Sequence, residues 1–105
     1  VADEVQTGFC RTGRMFATNY WEESGVQPDI LATAKSIAAG VPLSAIVARE
    51  EIMEASAPGT IGGTFCGNAL ACAAALKTIE TLQDVLVRSV KRYLRDSMSG
   101  KKNIQ

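Results

Sequence analysis

A run of apolar residues from position 30 to position 48 contains a single charged side chain, that of Lys35. The run is almost long enough to cross a membrane as a helix, but Gly40 and Pro42 interrupt its centre. A segment built around small residues and turn formers does not sustain a long helix, so we reject a transmembrane span. The run instead predicts two strands of a sheet, separated by a turn.

The rest of the chain predicts short elements around that run. Strands are expected at residues 1–6, 29–34 and 43–48, with a turn or one helical turn at 36–40. Helices are expected at 15–23, at 51–55, from about 68 to 82 and at 84–99, with Gly100 ending the last. The predicted core positions include Met15, Phe16, Tyr20, Trp21 and Leu70.

Composition excludes several classes of function. The chain carries 11 basic and 11 acidic side chains, so neither a nucleic acid nor an anionic membrane is indicated as a partner. Histidine, the commonest metal ligand, is absent, and Cys10, Cys66 and Cys72 lack the spacing of a zinc site. We therefore expect no metal site, and reduced thiols that fit the cytoplasm.

Lys35 is the first candidate for chemistry. Its neighbours along the chain include Ile, Leu, Ala and Val residues. Burial among such residues would remove water from the ammonium group, and loss of hydration disfavours the charged form of an amine. An uncharged lysine is a nucleophile that forms a Schiff base with a carbonyl group. The alternative interpretation is a lysine whose charged end reaches water from a half-buried strand end.

Residues near the start of the chain form a second group of candidates. Asp3 lies at the end of a predicted strand, and open α/β sheets bind ligands at the carboxyl ends of their strands. Asp3 could pair with a cationic ligand nitrogen, Gln6 could donate to a phenolate or carboxylate, and Val5 could press on a ring. Each has a simpler interpretation. Asp3 and Glu4 could be a solvated acidic pair, the Gln6 amide could stabilise a turn, and Val5 could belong to the core.

A glycine-rich loop, GGTF at residues 62–65, precedes the alanine-rich helix. Its backbone N–H groups and the Thr64 hydroxyl suit a phosphate group, although glycine pairs before helices are common. A lysine, an aspartate at a strand end, an amide and a Gly-Thr anion site are together what pyridoxal phosphate needs. The lysine holds its aldehyde, and the acid keeps its pyridine nitrogen protonated so that the ring accepts electrons.

Three segments resemble the class III (subgroup II) pyridoxal-phosphate aminotransferases, which include 4-aminobutyrate, acetylornithine and ornithine aminotransferases. The segments are DEVQTGFCRTGRMFA, PDILATAKSIAAGVPLSAIVAREEIM and GTIGGTFCGNALACAAAL. The resemblance implies an α/β fold, namely part of the large cofactor-binding domain of a fold-type I, aspartate aminotransferase-like transferase. Such a part would have an incomplete, mostly parallel sheet with flanking helices.

The resemblance also implies roles for five residues. Lys35 would form the aldimine with pyridoxal phosphate and carry the proton between the substrate carbon and the cofactor carbon. Asp3 would pair with the pyridinium nitrogen, Val5 would pack against the ring, and Gln6 would hydrogen-bond the ring oxygen. Thr64 would reach across a homodimer to the phosphate of the neighbouring subunit's cofactor.

Members of this family are several times longer than the 105 residues of this chain, so we expect it to be a fragment. Residues 1–105 would be a partial large domain, with 1–82 clearly family-like, 84–99 a following helix and 100–105 a frayed tail. A sheet cut to two or three strands leaves edges and apolar faces open. We therefore expect the isolated chain to be inactive, to bind cofactor weakly or not at all, and to associate. Cys10 replaces the usual glycine of the family, which predicts a backbone there that a Cβ tolerates.

The predicted reaction is transfer of an amino group from an ω-amino acid such as 4-aminobutyrate to a 2-oxo acid. The GGTF form of the loop favours 4-aminobutyrate over acetylornithine. The alternatives are an acetylornithine- or ornithine-type aminotransferase and a decarboxylase or mutase on the same scaffold. A further alternative is a truncated chain that folds and self-associates without catalysis.

Overall fold

The computed structural model describes residues 1–98, and a three-stranded sheet lies at its centre. The strands, in their order across the sheet, are β1 (Ala2–Asp3), β2 (Ile30–Thr33) and β3 (Ala45–Ala48). β1 and β2 run parallel with Asp3 opposite Ala32, whereas β2 and β3 run antiparallel with Leu31 opposite Val47. The sheet is therefore mixed, and the prediction of a mostly parallel sheet is wrong because β3 returns beside β2 in the opposite direction. β1 is shorter than predicted because the chain turns after Glu4, whose carbonyl accepts a hydrogen bond from the Gly8 N–H group at 2.9 Å.

Helices are short in the first two thirds of the chain and long in the last third. The 3₁₀ helices span Ala17–Tyr20, Glu22–Ser24 and Lys35–Ala38, and the α-helices are α1 (Glu50–Glu54) and α2 (Ala69–Met98). The helix predicted at 15–23 is thus two 3₁₀ turns, and Gly25 ends the second in a left-handed conformation, as predicted. α2 is one continuous helix, where the sequence predicts two. The predictions for Gly100 and residues 100–105 lie outside the described residues.

The first half of α2 packs on the 3₁₀ helix Lys35–Ala38. It begins at Asn68, whose Oδ1 accepts hydrogen bonds from the N–H groups of Leu70 and Ala71 at 3.0 and 3.1 Å. Ala71 and Ala75 are buried, because small side chains let the two helices approach closely. The core position predicted for Leu70 is wrong: its side chain lies on the outer face of α2.

A small core joins the loop after β1 to the two packed helices. Its buried members are Phe9, Ile37, Ala38 and Ala75. Met15 and Phe16 pack against it as predicted, with the Phe16 ring edge-on to Phe9 at a centroid distance of 5.4 Å. Tyr20 and Trp21 are exposed, so their predicted core positions are wrong. They fall on 3₁₀ turns, whose three-residue period places them on a different face from that of an α-helix.

Backbone strain collects in the loop after β1 and around Lys35. Non-glycine residues with positive φ are Phe9, Cys10, Lys35 and Ala39. Cys10 has φ of 69°, in the left-handed region that favours glycine, so the prediction of a backbone suited to a Cβ is wrong at this position.

β3 is an edge strand with partly uncovered apolar side chains. Ile46 and Val47 are exposed to 49% and 62%, as expected of a sheet with few strands. Within residues 1–98, no helix combines the length and apolar character needed to pass through a membrane.

Candidate active site

Lys35 lies just past the carboxyl end of β2, as the first residue of a 3₁₀ helix. Its side chain is exposed, so the burial predicted from its apolar neighbours is wrong. Ile37 and Ala38, two residues of the same run, occupy the core instead. A left-handed φ of 47° at Lys35 redirects the chain at the end of the strand and leaves the amine facing solvent.

The Lys35 amine lies in a shallow depression that also contains Gln6. Lys35 Nζ donates a hydrogen bond to Gln6 Oε1. The depression has a volume of about 480 Å³ and is lined by Gln6, Arg11, Lys35, Ser36, Ala39 and Gly40. Gln6 and Lys35 meet because β1 and β2 are parallel and their carboxyl ends share one edge of the sheet. Two predicted site residues are therefore together.

Asp3 and Val5 lie at the same edge of the sheet but do not line that depression. The Asp3 side chain is exposed at the end of β1, and its Oδ1 accepts a hydrogen bond from the Val5 N–H group at 3.0 Å. Val5 is half-buried. The carboxylate thus holds the turn after β1 while remaining open to solvent.

Thr64 lies elsewhere. It lines a second depression of about 420 Å³, together with residues 42–44 and the neighbouring residues of the 62–66 loop. Thr64, Gly62 and Gly63 are all exposed. The structure therefore brings Lys35 and Gln6 together and leaves Thr64 in a separate depression. Among residues 1–98, no group of three His, Cys, Asp or Glu side chains could hold a metal ion.

Glu4 is the residue that sequence reasoning missed. Instead of belonging to a solvated acidic pair, its side chain is only 2% exposed. It accepts hydrogen bonds from the Thr7 hydroxyl and from the N–H groups of Ala17 and Thr18, the last two at 3.1 and 2.7 Å. The sequence contains a signal for this burial, because Glu4 is two residues from the apolar Ala2 and alternate residues of an extended segment share a face.

Hydrogen bonding controls the charge on Glu4. Burial alone would raise the pKa of this carboxyl, but the bonds from Thr7, Thr18 and Ala17 together outweigh burial and hold its pKa below the ordinary value. The carboxylate is thereby kept ionised while it joins the end of β1 to the first 3₁₀ helix.

A pH dependence of stability follows from the lowered pKa of Glu4. An unfolded glutamate has a pKa of about 4.3, so the contribution of ionised Glu4 is complete above that pH and is lost as the pH falls through the lower folded value. We expect urea unfolding of the chain to show falling stability below about pH 4.3. A Glu4→Gln variant should show a weaker fall over this range, and equal slopes in the two proteins would contradict this origin.

Known proteins resemble the chain over nearly its whole length. A family model described as aminotransferase class-III matches residues 1–101. A 4-aminobutyrate aminotransferase of Mycobacterium tuberculosis is 52% identical over 103 residues, which cover 94% of this chain and 23% of the relative. An acetylornithine aminotransferase of Methanocaldococcus jannaschii is 50% identical over 86 residues, which cover 82% of this chain and 21% of the relative.

A solved structure extends the likeness to the fold. The ornithine aminotransferase of Toxoplasma gondii, crystallised with oxidised glutathione and partially occupied by PLP at its active site, superposes with a TM-score of 0.70. It is 51% identical, and the match covers 78% of this chain and 19% of that protein. This similarity confirms the predicted fold, part of a fold-type I transferase. The chain spans about a fifth of the length of the proteins that it matches. It belongs to the class III aminotransferase family.

Proposed function

We propose that this chain is the lysine-bearing part of an aminotransferase that moves an amino group from an ω-amino acid, such as 4-aminobutyrate, to a 2-oxo acid. The main support is the position of Lys35 Nζ beside Gln6 Oε1, in an open depression at the carboxyl edge of the sheet. The 52% identity to a 4-aminobutyrate aminotransferase supports this choice of donor. Since the chain spans about a fifth of such relatives, we infer that it is part of a longer protein. Its free cysteines, Cys10, Cys66 and Cys72, favour the reducing cytoplasm as its location.

Pyridoxal phosphate is the cofactor that membership of this family implies. The residues present fit its reactive end, because an exposed primary amine and an amide share one depression. When bound, the cofactor supplies an aldehyde that takes up an amine and a ring that accepts electrons from the substrate carbon. Lys35 would hold that aldehyde covalently. Its amine would then move a proton between the substrate carbon and the cofactor carbon while the amino group is transferred.

The neighbours of Lys35 would orient the ring. Gln6 Oε1 is occupied by Lys35, which leaves the Nε2 donors of Gln6 available for a ring oxygen. Asp3 would face the ring nitrogen from the end of β1, where its second carboxylate oxygen has no hydrogen-bond partner among residues 1–98. Val5 would pack against the face of the ring. The depression that contains Lys35 and Gln6 is open to solvent and would hold a ligand loosely, so we expect the isolated 105 residues to bind the cofactor weakly and to be inactive.

Thr64 would serve a second subunit. Its depression is separate from that of Lys35, and its side chain is exposed with no hydrogen-bond partner among residues 1–98. These observations favour a hydroxyl that contacts the cofactor phosphate of a neighbouring subunit in a homodimer.

Ornithine or acetylornithine is the second candidate donor. The 50% identity to an acetylornithine aminotransferase and the 51% identity to an ornithine aminotransferase are almost as high as the identity to 4-aminobutyrate aminotransferase.

A panel of donors tests the reaction class. The full-length protein with pyridoxal phosphate is incubated with 2-oxoglutarate and, separately, with 4-aminobutyrate, ornithine and acetylornithine, and glutamate is quantified. We expect glutamate with 4-aminobutyrate at the highest kcat/KM. Release of carbon dioxide or an isomerised amino acid would instead indicate a decarboxylase or mutase, and no product with any donor would indicate a non-catalytic chain.

A further inference from the structure

We propose that Arg11 binds an oxyanion group of a ligand held at Lys35, either the phosphate of the cofactor or a carboxylate of the substrate. The inference rests on the proposed function and adds to it an anion-binding residue within the same depression. Arg11 lines this depression together with Lys35 and Gln6. Both possible ligands present the same chemistry, a pair of oxygens that a planar guanidinium binds with two parallel hydrogen bonds.

Comparison with a neighbouring arginine shows that Arg11 is free to bind a ligand. Arg14, three residues later, donates to the carbonyl of Asn19 and to the carboxylate of Glu23, both at 3.1 Å. Its guanidinium also lies 4.6 Å from the centroid of the Tyr20 ring. The Arg11 side chain is exposed at the edge of the depression. It has no hydrogen bond or ion pair with the side chains that the structure describes within residues 1–98.

The loop that presents Arg11 is held in place by its backbone. Arg11 follows Cys10 in a turn closed by the hydrogen bond from the Gly13 N–H group to the Cys10 carbonyl at 3.2 Å. The Tyr20 hydroxyl donates to the carbonyl of Thr12 at 2.6 Å, which ties the tip of the turn to a 3₁₀ helix. An arginine on a fixed turn loses less entropy on binding than one on a mobile loop, since only its side chain must be ordered.

Charge around the depression favours an anion. Its lining contains two cationic side chains, Arg11 and Lys35, and no carboxylate. Glu4, two residues before Gln6, is buried and engaged by its own hydrogen bonds, and the exposed Asp3 carboxylate at the same edge of the sheet lies outside the lining. A ligand bearing phosphate or carboxylate groups is therefore attracted to this edge of the sheet.

Replacing Arg11 with glutamine in the full-length protein tests the inference. The first measurement is equilibrium binding of pyridoxal phosphate and of pyridoxal, which lacks the phosphate, followed by absorbance. The second is the affinity of the cofactor-loaded protein for 2-oxoglutarate and 4-aminobutyrate. Loss of a charged hydrogen-bonding pair weakens binding about 10- to 100-fold. If the phosphate is the ligand, only the affinity for pyridoxal phosphate falls; if a carboxylate is the ligand, only the substrate affinities fall.

Two further variants separate binding from structure. Arg14→Gln is the matched control, because it removes an arginine of the same loop that is turned away from the depression, and its affinities should equal those of the unmodified protein. Arg11→Lys keeps the charge without the planar fork and should bind with intermediate affinity. Equal affinities of Arg11→Gln and Arg14→Gln for every ligand would overturn the inference. That result would leave the role of Lys35 intact, whereas unchanged transfer by a Lys35→Ala variant would overturn the proposed function itself.

Discussion

Replacing Lys35 with alanine is expected to lower the rate of amino-group transfer by at least about 10²- to 10⁴-fold, the range for loss of an acid–base group. The variant lacks the amine that, in our proposal, holds the aldehyde of the cofactor and moves the proton. Structural damage should be slight, because the Lys35 side chain is exposed and its hydrogen bond is to Gln6. The measurement is kcat of the full-length protein with 4-aminobutyrate and 2-oxoglutarate. In a second measurement, each protein is treated with pyridoxal phosphate and then with borohydride, and its peptides are mapped by mass. The cofactor should be attached at position 35 in the unmodified protein and not in the variant.

Lys77→Ala provides the matched control for this experiment. Lys77 is likewise an exposed lysine with one side-chain partner, Glu80, at 3.2 Å, but it lies on α2 and does not line the depression of Lys35. Its replacement should leave kcat unchanged, since an exposed ion pair contributes little to stability. A Lys35→Ala protein with the turnover of the Lys77→Ala protein would show that another group performs the chemistry.

Glu4→Ala is expected to lower the free energy of unfolding by roughly 3 kcal/mol, the largest effect on stability that we predict for one residue. The change removes the acceptor for three donors, and the N–H groups of Ala17 and Thr18 then lose their partner in a buried region. It also leaves a cavity between the end of β1 and the first 3₁₀ helix. The measurement is urea unfolding at pH 7, followed by circular dichroism.

Glu22→Ala is the control for Glu4→Ala. The Glu22 carboxylate also accepts a side-chain hydrogen bond, from Asn19 Nδ2 at 2.7 Å, but it is exposed to solvent. Water replaces such a partner at little cost, so a change within about 0.5 kcal/mol is expected. Similar losses of stability in the two variants would show that burial of Glu4 does not set its contribution.

The sequence correctly predicts that Lys35 follows a strand and begins a turn, but it does not predict the exposure of the Lys35 side chain. The apolar run around Lys35 and its break at Gly40 correctly indicate a strand followed by a turn. Hydropathy describes the neighbours along the chain, however, and not the direction of a side chain. Lys35 has a left-handed backbone, and the 3₁₀ helix that it begins packs on α2, a contact with a distant part of the chain that local sequence does not encode.

Polar burial was the hardest feature to predict. The sequence Asp3–Glu4 suggests a solvated pair, yet Asp3, the last residue of β1, is exposed and Glu4, the next residue, is buried. The partners that make burial of Glu4 tolerable, Ala17 and Thr18, are more than ten positions away and meet it only after folding. The burial of Tyr20 is also mispredicted, because the sequence pattern predicts an α-helix where the chain forms 3₁₀ turns.

Lys35 and Ala39, which line the depression, both have positive φ angles. At position 35 such a backbone places thermal stability in opposition to the proposed catalytic role of the amine. A residue with a side chain pays about 1–2 kcal/mol for such a backbone, whereas glycine adopts it freely. Directed evolution for heat resistance would therefore favour glycine at position 35, and would discard the amine together with the strain. Laboratory selection on this protein needs an activity screen alongside the thermal one.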